Sequence, residues 1–289
     1  MKGSIPTSRP AVERSLLRPI VGWGRIMMDE RFAFGKNWWH FLGTLDERHI
    51  EEAVHGLQAL LETQDLEGRT FLDVGSGSGI HSLAAHRMRA ERVFSFDYDL
   101  DSVRCTEELK RRAGDPEAWA VVRGSVLDVD FMENLPQFDI VYSWGVLHHT
   151  GSMWDAIKIA SGRCRKEAMF VIGIYNRKGR ISDVMKLIKR TYVRSNLVGR
   201  SLIKWSYFLA SSAVSLTKGN NIFSEVRNYR DRGMNYWIDL EDWVGGYPFE
   251  CATPEEVVSF VAPLGFELIR SRVGTSFATV NEFVFHRIA

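Results

Sequence analysis

The sequence predicts an α/β fold built on a parallel sheet. An apolar, strand-like segment at residues 71–74 leads into a glycine-rich turn, and a helix opens at Ile80. A second apolar segment, residues 93–96, follows that helix and ends at an acidic residue, Asp97. Parallel strands need a crossover connection, usually a helix, so this order indicates a βαβ unit.

The turn after the first strand has the sequence D-V-G-S-G-S-G over residues 73–79. Glycines lack a Cβ, so the backbone can turn sharply and a ligand can approach its amide groups. Asp97, at the end of the second strand, is placed to hold a ribose diol. This layout is typical of a nucleotide-binding βαβ unit.

The spacing of the glycines differs from the G-x-G-x-x-G of dinucleotide-binding folds. The pattern D-x-G-x-G-x-G resembles the first motif of the class I S-adenosylmethionine-dependent methyltransferases. The resemblance implies that Asp73 lies near the methionine ammonium and that Asp97 binds the ribose hydroxyls of S-adenosyl-L-methionine. The residues expected to bind this cofactor are Asp73, Gly75, Ser76, Gly77, Gly79, Asp97, Tyr98, Ser125, Val126 and Trp144.

The resemblance extends over residues 68–175 and 253–289. Residues 121–128 look like the end of the third strand, where these enzymes contact adenine. Ser125 stands where many relatives have Asp, so its hydroxyl or the Val126 amide would read the adenine edge. Residues 137–149 are similar to a fourth strand F-D-x-V with a trailing L-H-H, which is common among small-molecule methylases such as the ubiquinone-pathway O-methyltransferases.

The fifth strand is expected at residues 168–175 and the last helix after Thr253. Thr253 can be the N-cap, Pro254 the first helical residue and Glu256 the capping-box partner. Two further strands, 266–273 and 281–286, would close the sheet. The resemblance thus implies a Rossmann-like, seven-stranded, mostly parallel sheet with helices on both faces and a helical lid inserted after the fifth strand.

The chain divides into an N-terminal arm and helix over residues 1–67, which would cover the cofactor site, and a methyltransferase domain over 68–289. Asp46 begins a helix with a helical stripe of apolar residues. The stripe is Ile50, Val54, Leu57, Leu60 and Leu61. Aromatic residues upstream of it, Trp38, Trp39 and Phe41, either pack the arm onto the sheet or close the substrate pocket.

Residues 176–250 lie where family members place the lid that chooses the acceptor. Ser182 or Asp183 can cap a first helix, and a second helix is expected over residues 197–214. The first helix would carry Val184, Leu187 and Ile188 on one face and Lys186, Lys189 and Arg190 on the other. The second would turn Leu202, Ile203, Tyr207 and Phe208 inward.

The lid is basic, since residues 177–204 hold nine Lys or Arg and one acid while the whole chain has a net charge of +1. Four interpretations stay open: a solvated surface, an anionic small substrate, a membrane surface carrying a lipid acceptor, and nucleic acid. Nucleic acid is the least favoured, because the pI is 7.8 rather than strongly basic. The chain also lacks the N/D-P-P-Y/F box of amino-methyltransferases and any Pro-Cys pair.

Bulk properties predict a cytoplasmic enzyme, with 45% hydrophobic and 25% charged residues and no run of about 20 apolar residues. Early arginines leave a mitochondrial presequence open. The three cysteines form no C-x-x-C pair, so neither a disulfide framework nor a zinc site is expected. No residues have metal-ligand spacing, and no catalytic metal is expected.

Methyl transfer is an in-line displacement at a sulfonium, in which the protein aligns the acceptor and removes its proton where needed. His148 and His149 follow the fourth strand, where the sulfonium would lie, and either can be the base or simply bond to the loop. Aromatic residues at the lid's exit could wall the acceptor pocket or act as hydrophobic plugs, and nearby acids could orient a hydroxyl or amine. These residues are Tyr236, Trp237, Trp243, Tyr247, Asp239, Asp242 and Glu250.

The catalytic candidates from the turn after the fourth strand and from the lid's exit are therefore His149, His148 and Tyr247.

The function favoured by the sequence is S-adenosylmethionine-dependent methylation of a small molecule or biosynthetic intermediate. Oxygen is the favoured acceptor atom, before carbon or nitrogen, and the lid's charge suggests an anionic substrate. Two alternatives stay open: a membrane-associated methylase of a quinone or lipid-linked glycan, and a non-catalytic subunit that binds the cofactor. Acceptor identity and oligomeric state do not follow from the sequence.

Overall fold

The computed structural model of the 289-residue chain describes residue 32 and residues 34–217, 236–274 and 280–289. The start of the predicted arm and residues 218–235 of the predicted lid lie outside the described residues. The division into an arm over 1–67 and a domain over 68–289 stays a prediction.

The described chain forms a seven-stranded sheet in the order β3-β2-β1-β4-β5-β7-β6. The strands are β1 (Thr70–Val74), β2 (Arg92–Asp97), β3 (Trp119–Arg123), β4 (Phe138–Trp144), β5 (Cys164–Tyr175), β6 (Phe266–Arg272) and β7 (Val280–Arg287). Strands β1 to β5 pair in parallel, whereas β7 is antiparallel to both β5 and β6. The predicted Rossmann-like, mostly parallel sheet is confirmed.

Helices cover both faces of the sheet. They are α1 (Gly35–Thr44), α2 (Glu47–Leu61), α3 (Ile80–Arg87), α4 (Leu100–Arg112), α5 (Val129–Glu133), α6 (Met153–Ser161), α7 (Arg180–Arg194), α8 (Leu197–Thr217), α9 (Tyr236–Gly245) and α10 (Pro254–Val261). Successive strand residues point to opposite faces. Phe71 therefore packs with α2, α3 and α4 in one core, and Leu72 with α5, α6 and α10 in the other.

The strand order reverses at β1, which pairs with β2 on one side and with β4 on the other. In an open α/β sheet the crevice at such a switch point, outside the carboxyl ends of the strands, is where ligands bind. The turns after β1, β2 and β4 all open into this crevice.

Two predicted helix starts have the expected capping geometry. The Asp46 carboxylate accepts a hydrogen bond from the His49 amide at 3.1 Å and begins α2. Thr253 Oγ1 accepts from the Glu256 amide at 3.2 Å, and Glu256 Oε2 accepts from the Thr253 amide at 2.8 Å. The predicted capping box of α10 is confirmed.

The lid is helical after β5, but its first helix differs from the prediction. Helix α7 begins at Arg180, before the predicted caps, and the Ser182 hydroxyl accepts a hydrogen bond from the Lys178 amide at 2.9 Å. The predicted faces are wrong, since Val184 and Leu187 are exposed and Lys189 is fully buried. The reason is that Met185 and Tyr192 form the buried face, and Lys189 lies between them along the helix.

Helix α8 is 21 residues long and ends three residues later than predicted. Ile203, Tyr207 and Phe208 are partly buried, in line with the prediction, whereas Leu202 is exposed. Leu202 lies about 140° around the helix from Tyr207, so it falls on the exposed side of the helix. Among the described residues no helix combines the length and the apolar character needed to cross a bilayer.

Replacing Thr253 by Ala should lower the free energy of unfolding by about 1 kcal/mol, because the first-turn amide of α10 loses its side-chain acceptor. Urea denaturation of the wild type and the variant measures the difference. Thr253→Ser keeps the hydroxyl and should retain most of the stability. Equal destabilisation by Ser and Ala would show that the cap contributes nothing.

Candidate active site

The turn after β1 is held against the end of β2. The amides of Gly75 and Ser76 both donate to the Phe96 carbonyl oxygen, at 2.9 and 3.0 Å. Gly75 has φ = 78°, and a Cβ there would lie 2.3 Å from Val146 Cγ1. Only glycine therefore fits between the turn and the loop that follows β4.

The Asp97 carboxylate is fixed by two backbone amides at the end of β2. Oδ2 accepts from Gly77 at 3.0 Å, and Oδ1 accepts from Asp99 at 2.9 Å. Burial raises the pKa of Asp97 to about 6, and the charge of Asp99 adds to this, although the backbone hydrogen bonds act in the opposite sense. The two hydrogen bonds thus orient the Asp97 carboxyl towards the crevice, and partial burial limits its contact with solvent.

Asp73 is buried at the end of β1, with 3% of its surface exposed. Ser82 Oγ donates to Asp73 Oδ2 at 2.5 Å and lies 2.7 Å from Ser95 Oγ. Burial raises the pKa of Asp73 to about 7, despite the Ser82 hydrogen bond. A neutral hydroxyl rather than a cation holds this carboxyl within the described structure.

A cavity of about 1410 Å³ lies at the carboxyl edge of the sheet. Of the residues expected to bind the cofactor, those lining it are Asp73, Gly75, Ser76, Gly77, Asp97, Tyr98, Ser125, Val126 and Trp144. Gly79 does not line it: a Cβ there would come within 2.9 Å of Thr106 Cγ2, so this glycine lets α3 pack on α4. The binding roles of the lining residues stay predictions.

Two of the lining residues also stabilise neighbouring backbone or side chains. Ser125 Oγ accepts a hydrogen bond from the Leu127 amide at 3.2 Å, which shapes the turn after β3. Trp144 Nε1 donates to Glu282 Oε1 at 3.3 Å and links the end of β4 to β7. Neither contact prevents the residue from facing the cavity.

The aromatic arm closes one side of the cavity. Trp38 and Phe41 line it together with Phe34, whereas Trp39 is 43% exposed and does not. The arm is tied to the site because the Gly35 amide donates to Asp99 Oδ2 at 2.9 Å. Asp99 was missed at the sequence level, although the acid pair at positions 97 and 99 was a visible signal.

His149 lines the cavity in the turn after β4. Its Nδ1 lies 2.7 Å from the Pro248 carbonyl oxygen, which can only accept a hydrogen bond. In the neutral ring the proton is therefore on Nδ1, and Nε2 carries the lone pair. The rings of Phe34 and Tyr175 lie 5.0 and 5.6 Å from the imidazole and fix its orientation.

His148 is fully buried and does not line the cavity. The Tyr175 amide donates to its Nδ1 at 3.3 Å. Burial, and after it the charges of His149 and Lys189, hold the pKa of His148 well below its usual range. This placement corrects the expectation that either histidine could be the base, because a substrate in the cavity does not reach His148.

The lid forms the opposite wall of the cavity. Its lining residues from α8, α9 and the following segment are Tyr207, Ser211, Leu240, Trp243, Tyr247 and Pro248. Glu250 has a different role: its Oε2 accepts from the Met153 amide at 2.9 Å and caps α6. The side chains of Tyr236, Asp239 and Asp242 lie outside the described residues, and Trp237 packs 5.3 Å from Trp205 and away from the lining.

A buried lysine joins two helices of the lid, α7 and α9. Lys189 Nζ donates to the Trp243 carbonyl oxygen and lies 4.2 Å from the centre of the Trp243 ring and 4.9 Å from that of Phe249. A cation over aromatic faces is stabilised by their quadrupoles. This contact could not be predicted from the sequence pattern, since a lysine on an amphipathic helix is usually solvated.

No group of His, Cys, Asp and Glu side chains in the described part of the chain could hold a metal ion. The lining residues provide carboxylates, backbone amides, aromatic rings, the imidazoles of His81 and His149 and the guanidinium groups of Arg123 and Arg272. This set suits two molecules in one cavity. One is an organic ligand with a cationic group, and the other has an aromatic or apolar body.

Comparison with known proteins matches part of the chain to a family of methyltransferases. Residues 53–142 match the model of the family described as ribosomal protein L11 methyltransferase (PrmA). This range includes β1, the glycine turn, β2, β3 and most of β4. It ends before the lid.

Two curated relatives are similar over a similar length. A tRNA U34 carboxymethyltransferase of Trichlorobacter lovleyi is 33% identical over 109 residues, covering 38% of this chain and 33% of the relative. A ribosomal protein L11 methyltransferase of Alteromonas mediterranea is 30% identical over 114 residues, covering 39% and 35%. The chain thus spans about a third of the length of the curated relatives it matches.

A solved structure is similar over nearly the whole fold. Magnesium protoporphyrin IX methyltransferase from Synechocystis PCC 6803, determined with bound SAH, superposes with a TM-score of 0.54 at 11% identity. The superposition covers 91% of this chain and 97% of that protein. At this identity the likeness establishes the fold alone.

Replacing Asp73 by Asn should stabilise the protein at pH 8. The folded carboxyl binds its proton more tightly than the unfolded one, so wild-type stability is lost as the pH rises from about 4 to about 7. Asn carries no charge to desolvate, and the gain should reach up to about 4 kcal/mol at pH 8 and vanish near pH 4.

Urea denaturation of both proteins across this pH range measures the gain. The matched control is Glu117→Gln, which makes the same acid-to-amide change at an exposed position. A variant that is less stable than the wild type at every pH would contradict the assigned burial effect.

Proposed function

We propose that this chain, which by its fold and its cofactor-binding half belongs to the class I S-adenosylmethionine-dependent methyltransferases, methylates a small molecule held under the lid. The resemblance predicted from the sequence is confirmed at the level of this class. One observation carries the proposed activity: the buried carboxyl of Asp73, the partly buried carboxyl of Asp97 and a glycine turn face the same cavity that His149 lines.

The residues present fit S-adenosylmethionine. A buried carboxyl with a raised pKa is destabilised when charged, and a cationic ligand offsets that effect. Asp73 would hold the ammonium, and Asp97, which two backbone amides orient, would accept from the ribose hydroxyls. Ser125 and the Val126 amide would contact adenine. When bound, this cofactor supplies an electrophilic methyl group on a sulfonium.

The acceptor would occupy the part of the cavity between β4, β5 and the lid. The walls there are aromatic, with Tyr175, Trp243 and Tyr247 facing the same space as His149. None of the described cations between residues 177 and 204 lines the cavity, so the charge of the lid does not argue for an anionic acceptor; Arg123 and Arg272, which do line it, lie at the ends of β3 and β6. We therefore favour an acceptor with an aromatic or apolar body.

The names of the curated relatives do not argue for a macromolecular substrate here. The matched family range ends at residue 142, whereas the elements that would choose the acceptor follow residue 176. The lid covers one side of the cavity. A covered cavity suits a small molecule better than a folded RNA or protein.

O-methylation is the reaction that the described residues support best. Nδ1 of His149 donates to the Pro248 carbonyl, which holds the imidazole at the cavity wall, and an imidazole in this position is the described group best suited to take a proton from an acceptor hydroxyl. Tyr247 would position the acceptor beside it. The aromatic walls and the arm exclude water and align the hydroxyl for in-line attack.

Affinity for S-adenosylmethionine should increase as the pH rises from about 5.5 to 7.5, because cation binding requires the ionised forms of Asp73 and Asp97. The increase should approach tenfold per pH unit for each proton released on binding. Calorimetric titration at several pH values measures it, and Asp73→Asn should flatten the profile. A wild-type affinity that is independent of pH would contradict the assignment of the two carboxyls.

Replacing His149 by Gln should lower kcat about 10²–10⁴-fold and leave the KM for S-adenosylmethionine unchanged, since the base acts only on the acceptor. Methyl-group release in the presence of a panel of phenolic acceptors measures the rate. His55→Gln, at an exposed position of α2, is the matched control. Cofactor binding without release from any acceptor would favour a non-catalytic subunit.

A further inference from the structure

Helix α8 carries an exposed apolar stripe. The stripe consists of Val198, Leu202, Trp205, Leu209 and Leu216, each at least 50% exposed. At 100° per residue these positions fall within about 60° of one another on the helix surface. Single exposed apolar residues are common, but five on one stripe mark an interaction surface.

The preceding helix adds to this surface. Ile181, Val184 and Leu187 are all more than half exposed on α7, and only residues 195 and 196 separate α7 from α8. Two successive helices of the lid therefore present apolar side chains to solvent.

The same helices carry positive charge. Residues 184–217 contain no acidic residue. The exposed cations on and before α7 include Lys178, Arg180, Lys186 and Arg190. By helical geometry Arg180 and Arg190 flank Leu187 on α7. Apolar side chains bordered by Lys and Arg are typical of helices that lie in a membrane interface.

From this combination we propose that the outer surface of α7 and α8 docks on an anionic membrane surface. A second copy of the chain fits less well, because a self-complementary contact would bring these cations together with Asp183 as the one acid on α7 and α8. Nucleic acid would neutralise the charge but leave the leucines without an apolar partner. An anionic bilayer offers both negative headgroups and an apolar layer.

Docking would place the membrane beside the acceptor site. Tyr207 and Ser211 of α8 line the cavity, and they lie on the side of the helix opposite to the stripe. An amphiphilic acceptor could thus pass from the bilayer to the cavity around one helix. This consequence rests on the proposed function, whereas the docking itself does not.

Co-sedimentation of the full chain with vesicles tests the proposal. We expect binding to phosphatidylcholine mixed with phosphatidylglycerol, at least tenfold weaker binding to phosphatidylcholine alone, and loss of the difference at high salt. The double variant Leu202→Gln/Leu209→Gln should weaken binding at least tenfold. Lys186→Glu and Arg190→Glu should each weaken it by fivefold or more.

Matched controls lie outside the lid. Ile269→Gln replaces an exposed apolar residue of β6, and Lys166→Glu reverses an exposed cation of β5. Both should bind vesicles as the wild type does. Thermal unfolding of every variant verifies the fold, and calorimetry with S-adenosylmethionine tests the proposed function separately.

Three outcomes would overturn the proposal. The first is equal binding to neutral and anionic vesicles, or to neither. The second is a dimer in analytical ultracentrifugation that Leu202→Gln/Leu209→Gln dissociates. The third is retention of nucleic acid that Lys186→Glu and Arg190→Glu abolish while vesicle binding stays unchanged.

Discussion

Two carboxyl groups at the ends of neighbouring strands, one buried and one partly buried, are the constraint on which the site depends. Asp73 and Asp97 follow β1 and β2, and burial raises their pKa values to about 7 and about 6. Charged groups without solvent destabilise a fold unless a partner offsets the effect. The glycine turn and the Ser82 hydroxyl hold both carboxyls in place, so the chain keeps a destabilising feature at the position where a cationic ligand would bind.

The lid depends on a second buried charge. Lys189 joins α7 to the Trp243 carbonyl and to two aromatic rings, and these rings belong to the segment that forms the roof of the cavity. Because Lys189 occupies the inner face, the outer face of α7 carries the apolar residues that the sequence pattern would bury. The contact of Lys189 with Trp243 thus holds the lid against the cavity and also leaves on the outer face of α7 the apolar residues proposed to dock on a membrane.

Local patterns were sufficient to predict the strands, the glycine turn and the caps at Asp46 and Thr253, because the interactions that set them lie within a few residues. Nine of the ten positions predicted to bind the cofactor line the cavity, and they follow from the same patterns and the family resemblance. The faces of α7 could not be predicted, since the partners of Lys189 lie more than 50 residues away. The same holds for Glu250, whose carboxylate caps α6, and for the bond from Gly35 to Asp99.

Calorimetric titration of the wild type and Asp97→Ala with S-adenosylmethionine decides whether the two carboxyls form a cofactor site. We expect saturable binding by the wild type with one site per chain, and loss of that binding in a variant that still unfolds cooperatively. A folded wild type that releases no heat and shows no thermal stabilisation with this ligand would contradict the assignment of the buried carboxyls and the activity built on it.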